Sequence, residues 1–127
     1  MAGEEIFRAR LIGSAPLVSI VGAAIHGGRV PQGTMAPFVQ YIRVASIDAH
    51  VLDGLTNIRR GRFQVDCYAT SYSQAVDMAR AVAAAIQGQN DEALHAEVGG
   101  ELDIFDDETT PKMFRRIVDF LTLERMD

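Results

Sequence analysis

A single-domain α+β fold is predicted: a mainly antiparallel sheet of about four strands packed against an N-terminal helix and one central Ala-rich helix, with an extended loop or hairpin arm. Three observations carry this. Phe63, Val65, Cys67 and Ala69 alternate with Arg62, Gln64, Asp66, Tyr68 and Thr70, the period-two pattern of a strand with one buried face. Directly afterwards Ala75, Ala79, Val82, Ala83 and Ile86 recur at three- and four-residue spacing, an apolar helical stripe ending near Gly88. Between them Ser71 and Gln74 fit a capping box, so the strand feeds the helix through a very short turn. The alanines let that helix lie close on a sheet containing its own preceding strand.

Taken in order, Glu4 to Ile12 has Ile6, Phe7 and Leu11 on one side, acids first and arginines later, and reads as a helix ending near Gly13. Ala15 to Val21 is a second short helical segment, with Pro16 acceptable in a first turn and Gly22 closing it. Ala23 to Pro31, broken by Gly27-Gly28, is strand-like at most, and turns follow at Pro31-Gln32-Gly33-Thr34 and Ala36-Pro37. Phe38 to Ile47 is rich in β-branched and aromatic residues and predicts a strand. Asp48 to Gly61, with Asp53-Gly54 and Arg60-Gly61, predicts an arm or hairpin tip between antiparallel strands 38–47 and 62–70. Ala93 to Val98 and Glu101 to Phe105 alternate on either side of Gly99-Gly100, predicting a hairpin with an almost wholly acidic outer face. Phe114 to Leu123 also fits a helix through Met113, Ile117, Phe120 and Leu121, but its β-branched content favours a strand with both faces partly covered.

At 127 residues the chain predicts one domain, 1–127, with one core. Apolar residues make up 48%, yet no apolar run reaches the roughly 18 residues of a bilayer span. The acidic start Glu4-Glu5 is unlike a basic signal segment, so a soluble protein made inside a cell, with no membrane partner, is expected. The single cysteine, Cys67, excludes an internal disulfide and falls on the apolar strand face, where a buried hydrophobe is the expected role. The net charge is −5, but Asp91, Glu92, Glu97, Glu101, Asp103, Asp106, Asp107 and Glu108 form an acidic segment without Lys or Arg. Arginine outnumbers lysine eleven to one, and Arg59, Arg60 and Arg62 gather at one loop end. That bias follows either from genomic base composition or from protein interfaces, where arginine's planar fork suits bidentate pairing.

No Gly-rich phosphate loop, His-Glu-x-x-His helix, paired-cysteine site or Gly-x-Ser-x-Gly elbow occurs. His26, His50 and His95 lie in separate segments without metal-ligand spacing, and Gly27-Gly28 lacks the following helix that anion binding needs. Asp66 cannot act on Cys67, because adjacent strand residues face opposite ways; an arginine across the sheet is its expected partner. The expectation is a non-enzyme with no metal and no cofactor, and a small enzyme using His26 or Cys67 is the weakest reading.

Pro31-Gln32-Gly33, Pro37-Phe38-Val39, Leu52-Asp53-Gly54, Arg62 to Ala69, the helix through Ala75 and Ala79 to Ile86, and Phe114 to Phe120 follow one another in an order that resembles the tail completion or tail terminator proteins of long-tailed bacteriophages and related gene transfer particles. The resemblance spans nearly the whole chain. It implies a small α+β subunit that forms a hexameric ring at the head-proximal end of the tail tube, stops tube growth and joins tail to head. Its partners would be copies of itself, the tube protein, a head-completion or connector protein, and DNA in transient passage, with assembly in the bacterial host cytoplasm and no catalytic residues. A ring of identical subunits needs two unlike, complementary surfaces. Arg59, Arg60 and Arg62 against Glu97, Glu101 or Asp103 of a neighbour are the expected pair. Asp106, Asp107 and Glu108 are the expected channel lining, since inward acids would repel phosphates where a basic bore would hold them. The alternative is a dimeric α+β ligand-binding or regulatory module, paired across a two-fold axis through a sheet face or edge.

Overall fold

In α1 (Gly3–Ile12), Glu4 and Glu5 occupy the first turn and Arg10 the last, which complements the helix dipole, and Phe7 and Leu11 are fully buried. The computed structural model describes residues 3–49, 58–91, 93–106 and 113–125. Ser14 caps α2 (Ala15–Val21) by accepting the Leu17 amide at 3.3 Å, and Gly22, at a φ of 60°, ends it. Five strands follow: β1 (Ile25–Gly27), β2 (Phe38–Ala49), β3 (Ile58–Ala69), then, after α3 (Tyr72–Gln87), β4 (Leu94–Asp106) and β5 (Met113–Arg125). They form one sheet in the order β1-β2-β3-β5-β4, antiparallel except for β1 on β2. The extra strand is the Gly-broken Ala23–Pro31 run, whose three residues pair parallel with Val39 to Tyr41.

The predicted strand-to-helix junction is present. Ser71 Oγ accepts the Gln74 amide at 3.1 Å, and Gln74 Oε1 accepts the Thr70 amide at 2.9 Å, so the box closes one residue upstream of the cap. Ala75, Ala79, Val82 and Ile86 are buried, and α3 lies across β3, β5 and β4 while α1 and α2 pack on it. All three helices therefore cover one sheet face. Phe63, Val65, Cys67 and Ala69 of β3 are fully buried beneath them, with Val39, Tyr41, Val118 and Phe120. Burial pushes the Cys67 thiol up to about 12, with the Asp66 charge adding to the rise, so it packs as an inert hydrophobe.

Phe7 is the hub of this layer. Its ring stacks on Phe63 at 4.3 Å, meets Phe120 edge-on at 5.6 Å and lies 6.0 Å from Tyr41, joining one helix to three strands. Arg10 anchors the other end: its guanidinium donates to the carbonyls of Ile86 (3.0 Å) and Leu94 (2.6 Å), to Asn90 Oδ1 and to Asp91 Oδ1. A terminal carbonyl of α3 and an edge carbonyl of β4 are thereby satisfied by one side chain.

In the turn between α3 and β4, Asp91 Oδ1 also accepts the amides of Leu94 and Ala93. The Leu94 bond, with Ala93 and Arg10 behind it and slight burial opposing, holds the carboxyl below the usual carboxylate range. A depressed folded-state value gives stability that is present above the ordinary Asp range, near 4, and lost as pH falls through the lower folded value. The expected result is that Asp91→Asn removes part of the acid-induced stability loss below about pH 4. Urea midpoints measured between pH 3 and 6 read it.

Two expectations change. Residues 94–106 are one continuous strand, not a hairpin about Gly99-Gly100: Val98 pairs with Phe120 and Gly100 with Asp119, so Gly99 is an extra residue in a β-bulge. A side chain there would meet Leu121, since a Cβ on Gly99 would lie 3.1 Å from Leu121 Cγ. The predicted acidic outer face is split as a consequence. The bulge reverses the alternation, leaving Glu97 on the helix-free face and sending Glu101 and Asp103 to the helix side, while Leu102 and Ile104 take the open face. The predicted arm between residues 48 and 61 is partly ladder, since pairing runs on to Ala49 and Ile58; its tip, with Leu52-Asp53-Gly54 and His50, lies outside the described residues.

Candidate assembly interface

No described helix covers the second sheet face, and its cross-strand rows can be read from the register. Arg60, Leu123 and His95 form one row, and Arg62, Leu121 and Glu97 the next. Arg60, Leu123, His95, Leu121 and Glu97 line a groove of about 350 Å³ together with Gly61 and Thr122. Leu121 is 57% exposed, an unusual state for a leucine in a central strand. Arg62 pairs with Asp119 at 3.0 Å, and His95 Nε2 lies 3.1 Å from Glu97 Oε1. Arg60, by contrast, is exposed and makes no ion pair among the described residues.

Towards the other end of the same face Arg115 pairs with Asp66 at 2.6 Å, the expected arginine across the sheet, while Gln64 Nε2 donates to the second carboxylate oxygen at 2.9 Å. The Arg115 guanidinium also lies 5.4 Å from the Tyr68 ring centroid, and Tyr68 stacks on Phe38 at 4.5 Å. Burial raises the Tyr68 pKa, with Asp66 adding to the rise and Arg115 opposing it. The charges of this half pair within the subunit, whereas around Leu121 and Leu123 Arg60 has no ion pair among the described residues.

The helix side of the sheet carries the remaining charges. Arg116 bridges Glu101 (3.4 Å) and Asp103 (3.2 Å), and Tyr72 Oη lies 3.4 Å from Asp103. Burial lowers the Arg116 pKa, but the two carboxylates outweigh it and the net shift is upward. Arg59 pairs in register with Glu124 on this side, close enough to Glu4 to help depress its pKa. Arg43 lies nearby, 2.8 Å from Glu4 and 2.7 Å from Glu124, with its guanidinium 4.7 Å from the Phe63 ring centroid. Gly61 permits that approach: a Cβ would sit 2.8 Å from Thr122 Oγ1 and 3.2 Å from an Arg43 nitrogen.

The sequence-predicted contact residues thus divide three ways. Arg60, Arg62 and Glu97 share the open face; Arg59 lies on the helix side, within electrostatic reach of Glu4 in α1; Glu101 and Asp103 are engaged with Arg116. Asp106 ends β4, and Asp107 and Glu108 lie outside the described residues. Sequence reasoning missed Arg43 and Arg116 as charge hubs, and Leu121 and Leu123 as exposed groups. The signal for the leucines was present, because their alternation with Phe120 and Thr122 puts apolar residues on both faces of β5.

Against known proteins, the chain is similar in fold to a chain in the solved structure entitled "Virion of native gene transfer agent (GTA) particle", at 19% identity and a TM-score of 0.69, over 94% of this chain and 92% of that one. No curated protein sequence matches it. The family model of the tail completion protein gp17 matches residues 6–125, from within α1 to the end of β5. An α+β chain whose described helices all lie on one face of its five-stranded sheet, matched over nearly its full length by that model, belongs to the tail completion protein gp17 family.

Proposed function

We propose that this chain is a structural virion protein that closes into a ring, a hexamer, at the head-proximal end of a tail tube. There it ends tube polymerisation and joins tail to head, with DNA passing through its channel. Membership of the tail completion family is the observation that carries the reading and favours it over a dimeric ligand-binding module. The physical design agrees: a sheet face that no described helix covers bears exposed leucines and an arginine that makes no ion pair among the described residues. Assembly would take place in the bacterial host cytoplasm, with the tube protein on one flat end of the ring and a head-completion protein on the other. Acids at Asp106 to Glu108 would line the bore, where they keep DNA mobile.

The intersubunit role of the arginines rests on Arg60, since Arg62 and Arg59 have charges of their own subunit beside them. Arg60 is expected to meet an acidic residue of the neighbouring copy. Arg60→Glu should raise the concentration for half-assembly by roughly tenfold or more, because truncating or reversing one partner of a contact charge pair costs about 2 kcal/mol. The mass of the particle by light scattering, with tail tubes present where the free chain is monomeric, reads it. An unchanged assembly curve for Arg60→Glu rejects that role.

A further inference from the structure

Both edges of the sheet are half closed, at diagonally opposite corners. On one side β1 covers only Val39 to Tyr41 of β2, so Ile42 to Ala49 pair with β3 alone among the described residues. On the other side the turn after α3 closes the first half of β4. Asn90 donates to the Ala96 carbonyl and accepts its amide (3.1 and 2.9 Å), Gln87 Oε1 accepts the Val98 amide, and Arg10 takes the Leu94 carbonyl. Side chains there do what a neighbouring strand would do. Beyond the bulge they stop, and Gly100 to Asp106 pair with β5 alone among the described residues. The outward groups at Leu94, Ala96 and Val98 and the register with β5 aim the N–H and C=O groups of Glu101, Asp103 and Phe105 away from the sheet.

Exposed apolar side chains gather at these two corners. Ile42 and Val44 (45% exposed) mark the β2 corner, whereas Leu102 (59%), Ile104, Phe105 (52%) and Tyr72 mark the β4 corner. An open strand edge flanked by large apolar groups is a pairing template that proteins ordinarily blunt with lysine, proline, a β-bulge or a covering loop. Neither open segment carries a lysine or proline, and the bulge at Val44, where the register slips between Arg43 and Ala45, interrupts only the start of the β2 segment.

Building on the ring reading above, we propose that the open half of β2 in one copy pairs with the open half of β4 in the next, joining the subunit sheets head to tail. The occupant is a second copy because the two open segments match in length and pairing direction. The segments are of similar length, and β2 and β4 run in opposite directions, so copies related by rotation about a ring axis meet in the antiparallel sense. The β4 corner brings Glu101 and Asp103 on the helix side, where Arg116 bridges them, and the strand behind the β2 corner brings Arg59 on that same side. The covered halves force an offset of about six residues between neighbours, about 20 Å along the strands, which tilts the strands relative to the ring axis as in a closed barrel. Such an interface is heterologous, the kind that closes into rings.

Two variants test this by complementation. Val44→Lys and Ile104→Lys each put a charge on an exposed side chain of one open edge, leaving the core untouched, and Ile12→Lys on the helix layer is the control. Each edge variant alone is expected to stay monomeric at concentrations at least tenfold above those at which the wild type and Ile12→Lys assemble, with unchanged thermal unfolding. An equimolar mixture of the two edge variants should give a dimer of one copy of each and nothing larger, because one sound β2–β4 contact remains. Full-size rings from either variant overturn edge pairing and leave the ring reading standing. Homodimers of one variant overturn it in favour of two-fold pairing of like edges. A wild-type chain that never exceeds a monomer, even with tail tubes present, removes the ring reading itself.

Discussion

Phe7→Ala should destabilise the fold by about 4 kcal/mol, the largest single loss expected in this chain. The ring is fully buried and touches three other aromatic rings from three different strands, so its removal opens a cavity between two layers that cannot both collapse onto it. The stacked and edge-on geometries add about 1 kcal/mol to the transfer and cavity contributions. Thermal unfolding should move down by roughly 15 °C. Phe7→Leu, which keeps much of the volume, should cost less than half as much. A loss below about 1 kcal/mol for Phe7→Ala in urea unfolding would show that α1 is not part of the cooperative core.

Arg10→Met is the second, with an expected cost of about 3 kcal/mol. Methionine fills most of the volume, so the loss reports the guanidinium. Its removal takes the guanidinium donor from the Ile86 carbonyl, leaves the Leu94 carbonyl only the longer bond from the Asp91 amide at 3.3 Å, and strips Asn90 and Asp91 of one partner. Burial lowers the Arg10 pKa and the Asp91 charge opposes that, but an arginine stays charged under any folding condition. Arg10→Lys should recover part of the loss, because one ammonium can reach one carbonyl but cannot span both. Hydrogen exchange offers a second reading: amides of Leu94 and Ala96 should lose protection in Arg10→Met ahead of those in β3. Equal loss across the sheet would mean that Arg10 acts on global stability and not on the anchoring of β4.

The parts of this architecture that were legible in the sequence are those in which one local rule decides. Phe63 to Ala69 alternates and packs against helices on one side only, and Ser71 with Gln74 closes a cap within four residues. Phe114 to Leu123 admitted a helix by spacing, and sheet preference settled the run because a central strand partnered on both sides suits Ile117, Val118 and Thr122. Gly99-Gly100 misled because a two-residue glycine turn and a glycine bulge share a sequence. The choice between them is made by β5, which pairs with both halves of β4 and has no local signature there. The charges followed that error: a single unpaired residue moves Glu101 and Asp103 to the opposite face from Glu97. Arg43 stayed hidden for a similar reason, since its partners Glu4 and Glu124 are brought together only by the closed sheet.

The central claim is that this chain works by presenting unlike flanks to copies of itself at the end of a tail tube. Electron microscopy of tubes polymerised with and without the chain tests it most directly. The expected result is a closed ring of identical subunits at one end of each tube, with tubes carrying it no longer elongating. Tubes that keep growing in its presence, with the chain recovered as a two-fold dimer away from their ends, would contradict it.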